Sequence, residues 1–492
     1  MLAQLPVLVI IAPLLAAPVL ALMRGSTAPW LVATLVSWLS LAFSVLLLGQ
    51  VVANGQISYF MGGWEPPWGI EYRIDFANAL LLVLITGLAS VVMPYARRSV
   101  EHEVGEQRAP MFYAALMLLN LGLTGMAITG DAFNVFVFLE ISSLSTYALI
   151  AMGRDRRALT ASFTYLIMGT IGATFYLIGV GFLYVMTGTL NMADLAERLP
   201  ELTENSSTVR TAFALIVTGV CLKLALFPLH LWLPNAYTYA PSAVTAMVAA
   251  TATKVAVYVL IRFVYTIFGT EFSFGTEPLA GVLVPLAAIG LLSASTVSIT
   301  QPNIKRMLAY SSVAQIGYIV LGLAMGTLTG LTAALLHMFN HGLMKGALFM
   351  ALGAVAYRLG GTNIEQMRGL SKTMPLTFWA FVVGGLSLIG VPLTVGFISK
   401  WYLIVAAVEL GWWPIVVAIV AGSMLAVVYI GRVIEAGVFQ QPSDPTRREA
   451  PWSMLIPLWI LVIANIWLGI DTRLTVDIAE AAAAQLMAGG GQ

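Results

Sequence analysis

One cysteine, four histidines and six lysines in 492 residues, with charged side chains at only 10% of positions, leave this chain poor in the groups on which soluble catalysis depends. The lone Cys221 rules out a disulfide framework or a cysteine metal site within the chain, and its hydrophobic surroundings cast it as a small buried residue. No loop carries a phosphate-binding glycine motif, a metal-ligand cluster or a basic, aromatic surface for nucleic acid. No cofactor, no metal and no nucleic-acid partner are therefore expected. Long polar stretches are missing too. With 59% hydrophobic residues the chain exceeds what a soluble globule can bury, and the lipid bilayer becomes its solvent.

What is abundant is apolar sequence. Stretches of roughly 18 or more residues, enough to cross about 30 Å of hydrocarbon, recur about fourteen times, so the fold class is an all-α polytopic membrane protein. The first stretch, over 5–22, has no basic residue before it and Arg24 after it, the reverse of a signal peptide, and reads as a retained helix.

A net charge of +1 hides a strong asymmetry. One set of alternate loops holds fourteen of the 24 basic residues, among them Arg97, Arg98, Arg154, Arg156, Arg157, Arg358, Arg368 and Arg447. The other set holds five, with carboxylates such as Glu65, Glu71, Asp75, Asp194, Glu197, Glu204 and Glu277. The positive-inside rule makes the arginine-rich side cytoplasmic. An even number of spans then puts both termini on the extracytoplasmic side of a cell (inner) membrane.

The six lysines contrast with eighteen arginines, and four of them, Lys223, Lys254, Lys345 and Lys400, fall within expected spans. Arginine keeps its proton in any protein environment, whereas an amine taken out of water can give one up near neutral pH. Four lysines would cost on the order of 10 kcal/mol if they did nothing there. Snorkelling to the interface is the bland alternative, and it applies best to Lys400, close to the expected span end at 403.

Glu140 sits mid-span in NVFVFLEISSLSTYALIAMG and needs a cation or hydrogen-bond donors nearby. Lys223 is the candidate partner, and such a pair can serve as a static clamp or as a proton site. In LLHMFNHGLMKGALFM, His337, His341 and Lys345 recur every four residues and line one helical stripe. That spacing suits a proton relay; it also suits zinc, but no third ligand accompanies it.

Two spans are interrupted. GVCLKLALFPLHLWLPNAYTYAPSAVTA carries Lys223 and His230 with Pro228, Pro234 and Pro241, and GGLSLIGVPLTVGFISKWY carries Gly390, Pro392 and Gly396 ahead of Lys400. A broken membrane helix survives only where its freed backbone faces protein or water. The breaks lie five spans apart, an odd number, which predicts two inverted five-helix repeats with an ion path near mid-membrane. The expected organisation is an N-terminal three-helix segment (1–109), a first repeat (110–268), an inverted second repeat (278–437), and a C-terminal helix and tail (438–492).

NVFVFLEISSLSTYALI, KLALFPLHLWLPNAYTYAPSAVTA, IKRMLAYSSVAQIGYI and LLHMFNHGLMKGALFM resemble the signature segments of one family. It comprises the antiporter-like subunits shared by Mrp-type multisubunit sodium/proton antiporters, respiratory complex I and membrane-bound hydrogenases. GTLNMADL, and a chain ending soon after its fourteenth span, are most similar to the D-type subunit of Mrp antiporters. The break at VPLTVGF departs from a family pattern nearer PPLSGF. The resemblance implies fourteen helices with inverted five-helix repeats. It also implies that Glu140 and Lys223 form the proton-input pair, that Lys254 and His337 form the central link, and that Lys400 is the exit site.

The expected function is then proton translocation through Glu140, Lys223, Lys254, His337, His341, Lys345 and Lys400, in exchange for sodium. The alternative is a proton-pumping subunit of a complex I-like or hydrogenase complex, a translocase without its own redox centre. Either implies partner membrane subunits, with sodium passing through them, because Glu140 is the only carboxylate clearly at mid-span. Rival readings are a stand-alone carrier of a small anionic solute, bound by Lys223 and Lys400 at broken-helix ends, and a structural scaffold.

Overall fold

The computed structural model describes residues 2–203, 206–442 and 448–488. Glu204 and Arg447 of the charge count, and residues 489–492 of the expected tail, lie outside the described residues. In chain order the helices are α1 (Leu5–Leu22), α2 (Thr27–Asn54), α3 (Phe76–Glu103), α4 (Ala109–Ile128), α5 (Ala132–Ala151), α6 (Arg157–Thr187), α7 (Met192–Thr203), α8 (Ser207–Leu224), α9 (Trp232–Tyr239), α10 (Ser242–Ile261), α11 (Leu279–Thr300), α12 (Ile304–Ala324), α13 (Leu328–Leu359), α14 (Leu370–Thr373), α15 (Pro375–Ile389), α16 (Val395–Glu409), α17 (Trp413–Phe439), α18 (Trp452–Ile470) and α19 (Arg473–Met487). An antiparallel hairpin of β1 (Ile57–Phe60) and β2 (Glu71–Ile74) pairs Ile57 with Ile74 and Phe60 with Glu71.

Thirteen of the described helices are long and apolar enough to cross a membrane. α15 and α16, at 15 residues each, are individually too short for about 30 Å of hydrocarbon but together supply one further, interrupted crossing. The fourteen expected spans are thus accounted for. The seventh, α8 with α9, and the twelfth, α15 with α16, carry the breaks.

The helices sort into two layers. In the most apolar stretch of α12, 94% of residues are buried, against 33% in α17. α3, α4, α10, α12 and α13 therefore form the interior, while α1, α2, α6, α11, α17 and α18 turn one face to lipid. Apolar surface gives no driving force between helices in lipid, so close approach must come from small residues. α13 shows this best. A Cβ at Gly342 would strike the Ala250 carbonyl and the Leu84 side chain, and one at Gly353 would strike Tyr95 and Ser242, which draws α13 against both α10 and α3. Tyr95 Oη seals that contact by donating to the Met350 carbonyl at 2.9 Å.

Both breaks are strained in the same way. Among the described residues only two non-glycines have positive φ, Ala225 (φ 62°) and Leu393 (φ 70°), one at each break. A side chain in the left-handed region costs roughly 1–2 kcal/mol, and such strain gathers where surrounding structure enforces it. Gly390 (φ 94°) ends α15 beside Leu393.

The hairpin, α7 and α19 lie together on the face away from the arginine-rich loops, which is called the acidic face below. Gln485 of α19 reaches Gln56 beside the hairpin, and Asn191, next to α7, donates to Glu71 at 3.0 Å. The tail expected after α18 is a helix whose Val476, Ile478, Ala479, Ala482, Ala483 and Leu486 are buried. Its spacing is amphipathic, but at 15 residues it is too short to register as a span.

Candidate functional site

At the first break, Lys223 occupies the last turn of α8 and is buried. Its Nζ donates to Ser143 Oγ at 2.8 Å and stands 3.9 Å from Glu140 Oε1. Glu140 and Ser143 are one turn apart on α5, so a single helix face offers both to the lysine. The Glu140 side chain is about a quarter exposed (26%), but its Oε1 is buried and accepts no hydrogen bond. A cavity of about 30 Å³, lined in part by Ser142, Ser143, Thr146, Tyr165 and Lys223, has room for a water molecule. The α8–α9 turn holds His230, whose ring stacks on Phe227 at 5.5 Å while its Nδ1 stays unpartnered. Trp232 Nε1 donates to the Leu222 carbonyl at 3.1 Å, which also accepts the Ala225 backbone N–H at 3.2 Å.

The second break is held by its own lysine. Lys400 Nζ donates to the Leu388 and Ile389 carbonyls, each at 3.0 Å, and to Ser423 Oγ at 3.0 Å. It also lies 4.5 Å above the Tyr318 ring. The snorkelling reading is corrected here: α16 continues to Glu409, well past the expected end at 403, and Lys400 is buried against the break rather than near an interface. The reason is electrostatic, since the last carbonyls of a helix that stops in mid-membrane form a negative end that a cation satisfies.

Between the breaks runs the stripe on α13. His337 is held on both sides, with Nδ1 2.8 Å from Ser399 Oγ and Nε2 2.9 Å from Gln315 Oε1. Ser399 precedes Lys400, and Tyr318 packs 5.5 Å from the His337 ring, so His337 and Lys400 share one polar cluster. His341 lies parallel to His337 with ring centroids 6.1 Å apart, fully buried, and neither of its nitrogens is hydrogen-bonded. Lys345 turns to α12 instead, donating to Ser311 Oγ at 2.5 Å and the Leu308 carbonyl at 2.8 Å. Lys254, on α10, donates to the Ala249 carbonyl at 2.5 Å and to Thr253 Oγ1 at 3.3 Å.

The contacts therefore join Glu140 with Lys223, and Lys400 with His337 and, by its stacked ring, His341, while Lys254 and Lys345 each bond to backbone carbonyls and hydroxyls. No hydrogen bond among the described residues joins Glu140 and Lys223 to the others. Ser143, Gln315, Tyr318, Ser399 and Ser423, which orient the lysines and His337, do not stand out in the sequence. Gln315 in SVAQIGYI carries a usable signal, because an amide within a span needs a partner. Lys305, counted with the loops, is also buried and donates to the Ala240 carbonyl at 3.2 Å.

Fold and site define a multi-pass helical membrane protein with buried titratable side chains at both interruptions of its spans and along the helices between them. Residues 129–426 match the family described as "NADH:quinone oxidoreductase/Mrp antiporter, TM", and the chain belongs to that family. It is 45% identical to the N-type subunit of an NADH-quinone oxidoreductase from Desulforudis audaxviator, over 96% of each chain. It is 30% identical to the D-type subunit of a Na(+)/H(+) antiporter from Bacillus subtilis, over 98% of this chain and 97% of the relative. Among solved structures it superimposes with a TM-score of 0.92 and 34% identity on a chain of the membrane-bound sulfane sulfur reductase, an archaeal respiratory membrane complex, covering 98% of both.

Proposed function

We propose that this chain is the proton-conducting subunit of a multisubunit cation/proton antiporter. Protons enter at Glu140 and Lys223, cross by way of Lys254, His341, Lys345 and His337, and leave at Lys400, while sodium passes through partner subunits. The observation that carries this reading is the separation at the first break. A static clamp would be short and hydrogen-bonded, whereas Lys223 spends its hydrogen bond on Ser143 and stays 3.9 Å from a carboxylate oxygen that accepts none. Such a carboxylate can take up a proton without breaking a hydrogen bond, and the lysine's charge then sets how firmly it is held.

The wholly unpartnered, buried His341 supports the same reading, because an imidazole in this interior is stable only if it is hydrated at least part of the time. The repeats are taken to run over 110–268 and 278–437, between the segments 1–109 and 438–492. The arginine-rich face is taken as cytoplasmic, with both termini outside the cell membrane.

A second reading is favoured by the relative at 45% identity, whose name places it in an NADH-quinone oxidoreductase. Here the same relay is driven by a redox reaction on partner subunits. The relay is tested by transport in proteoliposomes with Glu140→Ala and Lys223→Ala; antiport at the wild-type rate in both overturns it. Mass spectrometry of the subunits that copurify separates the sodium-driven from the redox-driven form.

A further inference from the structure

One buried ion pair lies outside the relay. Lys254, Tyr258 and Arg262 recur every four residues along α10, a stripe of about 12 Å at 1.5 Å per residue, leading from the buried lysine towards the acidic face. Arg262 opens the π-helical turn Arg262–Ile267 that ends this span. Its Nε donates to Tyr258 Oη at 2.7 Å and its Nη2 pairs with Asp75 Oδ2. Asp75 is itself fixed as the N-cap of α3, accepting from the backbone of Ala77 at 3.0 Å and Asn78 at 3.2 Å. All three side chains are buried.

This stripe leads through the protein from Lys254 to the acidic face. A proton using it would bypass His337 and Lys400 altogether. We propose that Arg262, held in place by Asp75, is a proton plug that closes this bypass and so makes transport depend on the second half of the molecule. The proposal rests on the reading of Lys254 as a proton carrier.

The chemistry is one of donors and acceptors. A proton moves along a hydrogen-bonded line only if every member can both accept and donate. A guanidinium carries five N–H donors, has no acceptor, and keeps its proton in any protein environment, so the line stops at Arg262. Tyr258, between the lysine and the arginine on this stripe, takes the Arg262 Nε–H on its oxygen, so a proton passed along it meets the guanidinium next. Lys254 is turned the other way, with Nζ on the Ala249 carbonyl and Thr253, towards the arginine-rich end of α10. Stability alone is a weak reason for the pair, since buried ion pairs commonly contribute no more than apolar replacements of the same shape.

The test uses the protein with its copurifying membrane subunits, reconstituted into proteoliposomes with the membrane potential clamped by potassium and valinomycin. Decay of an imposed pH gradient is followed without sodium or redox substrate. Arg262→Gln combined with Asp75→Asn removes both charges while keeping hydrogen-bonding groups and a good N-cap. It is expected to speed the decay on the order of tenfold, and adding Lys254→Gln is expected to restore the slow decay. Wild-type decay in a folded double variant overturns the plug, as does fast decay that survives Lys254→Gln. Should the double variant not assemble, Arg262→Lys keeps the pair but puts a releasable proton in the line; it is expected to leak, and wild-type tightness in it also overturns the plug. The relay reading fails separately, if Lys254→Gln alone leaves driven transport at the wild-type rate.

Discussion

The Lys400 ammonium donates a 3.0 Å hydrogen bond to the carbonyl of Ile389, the last residue of α15. One side chain thus closes the end of an interrupted helix and places a titratable group beside it. The two roles separate by substitution. Lys400→Arg keeps a cation on the Leu388 and Ile389 carbonyls but cannot release a proton, so it should fold and fail to transport. Lys400→Met strips both carbonyls of their donor at a cost of roughly 1–3 kcal/mol for each group left unsatisfied. It should lower the thermal midpoint in detergent as well as abolish transport. Transport by Lys400→Arg at the wild-type rate would show that this site needs only a charge.

At the other break the balance is reversed. Glu140 Oε1 accepts no hydrogen bond and the side chain is partly exposed, so its long ion pair with Lys223 should contribute no more than about 1 kcal/mol. Glu140→Gln is expected to leave thermal stability nearly unchanged while reducing transport to background. Differential scanning fluorimetry and vesicle antiport on one preparation check both halves. A large loss of stability with transport intact would assign the pair to the static clamp.

His337 is held by Gln315 and Ser399 together, and the hold fixes which nitrogen faces which neighbour. Gln315→Leu fills similar volume but leaves one imidazole nitrogen buried without a partner, for roughly 1–3 kcal/mol of destabilisation. His337→Leu added to it should restore part of that loss. A double-mutant cycle on thermal unfolding should therefore give a coupling energy of about 0.5–3 kcal/mol, and one near zero would show that Gln315 does not position the ring.

Much of this is legible in the chain because lipid makes polarity expensive. Lys223, Lys254, Lys345 and Lys400 stand out against apolar runs, and proline and glycine mark both breaks, since little else can interrupt a membrane helix. The supporting groups are hidden for the opposite reason. Serines such as Ser143 and Ser399 are inexpensive in a span and common there, so nothing in their spacing distinguishes one that holds a lysine or histidine from one bonded to its own helix. Arg262, one of the five basic residues counted on the acidic side, shows no partner in the sequence because Asp75 is 187 residues distant. α19 escapes notice because it is too short for the hydropathy signal that finds the spans. Placing Lys400 at a span end fails because an apolar run ending near 403 does not show that α16 continues to Glu409.

The paired left-handed residues Ala225 and Leu393 give the breaks a property that can be tuned without touching a titratable group. Leu393 is exposed, at 67%, so its substitution tests backbone conformation with little change in packing. Glycine takes up positive φ without a steric cost but loses more conformational freedom on folding. Leu393→Gly should therefore be neutral to stabilising, by up to about 1 kcal/mol. Leu393→Val, β-branched and poorly suited to φ 70°, should destabilise by at least about 1 kcal/mol. Thermal midpoints of the two variants measure that difference. If the strain serves to keep the α15 carbonyls turned to Lys400, the glycine variant should also transport more slowly despite its stability. Equal transport by wild type and Leu393→Gly would show that the left-handed residue fits the turn and does nothing more.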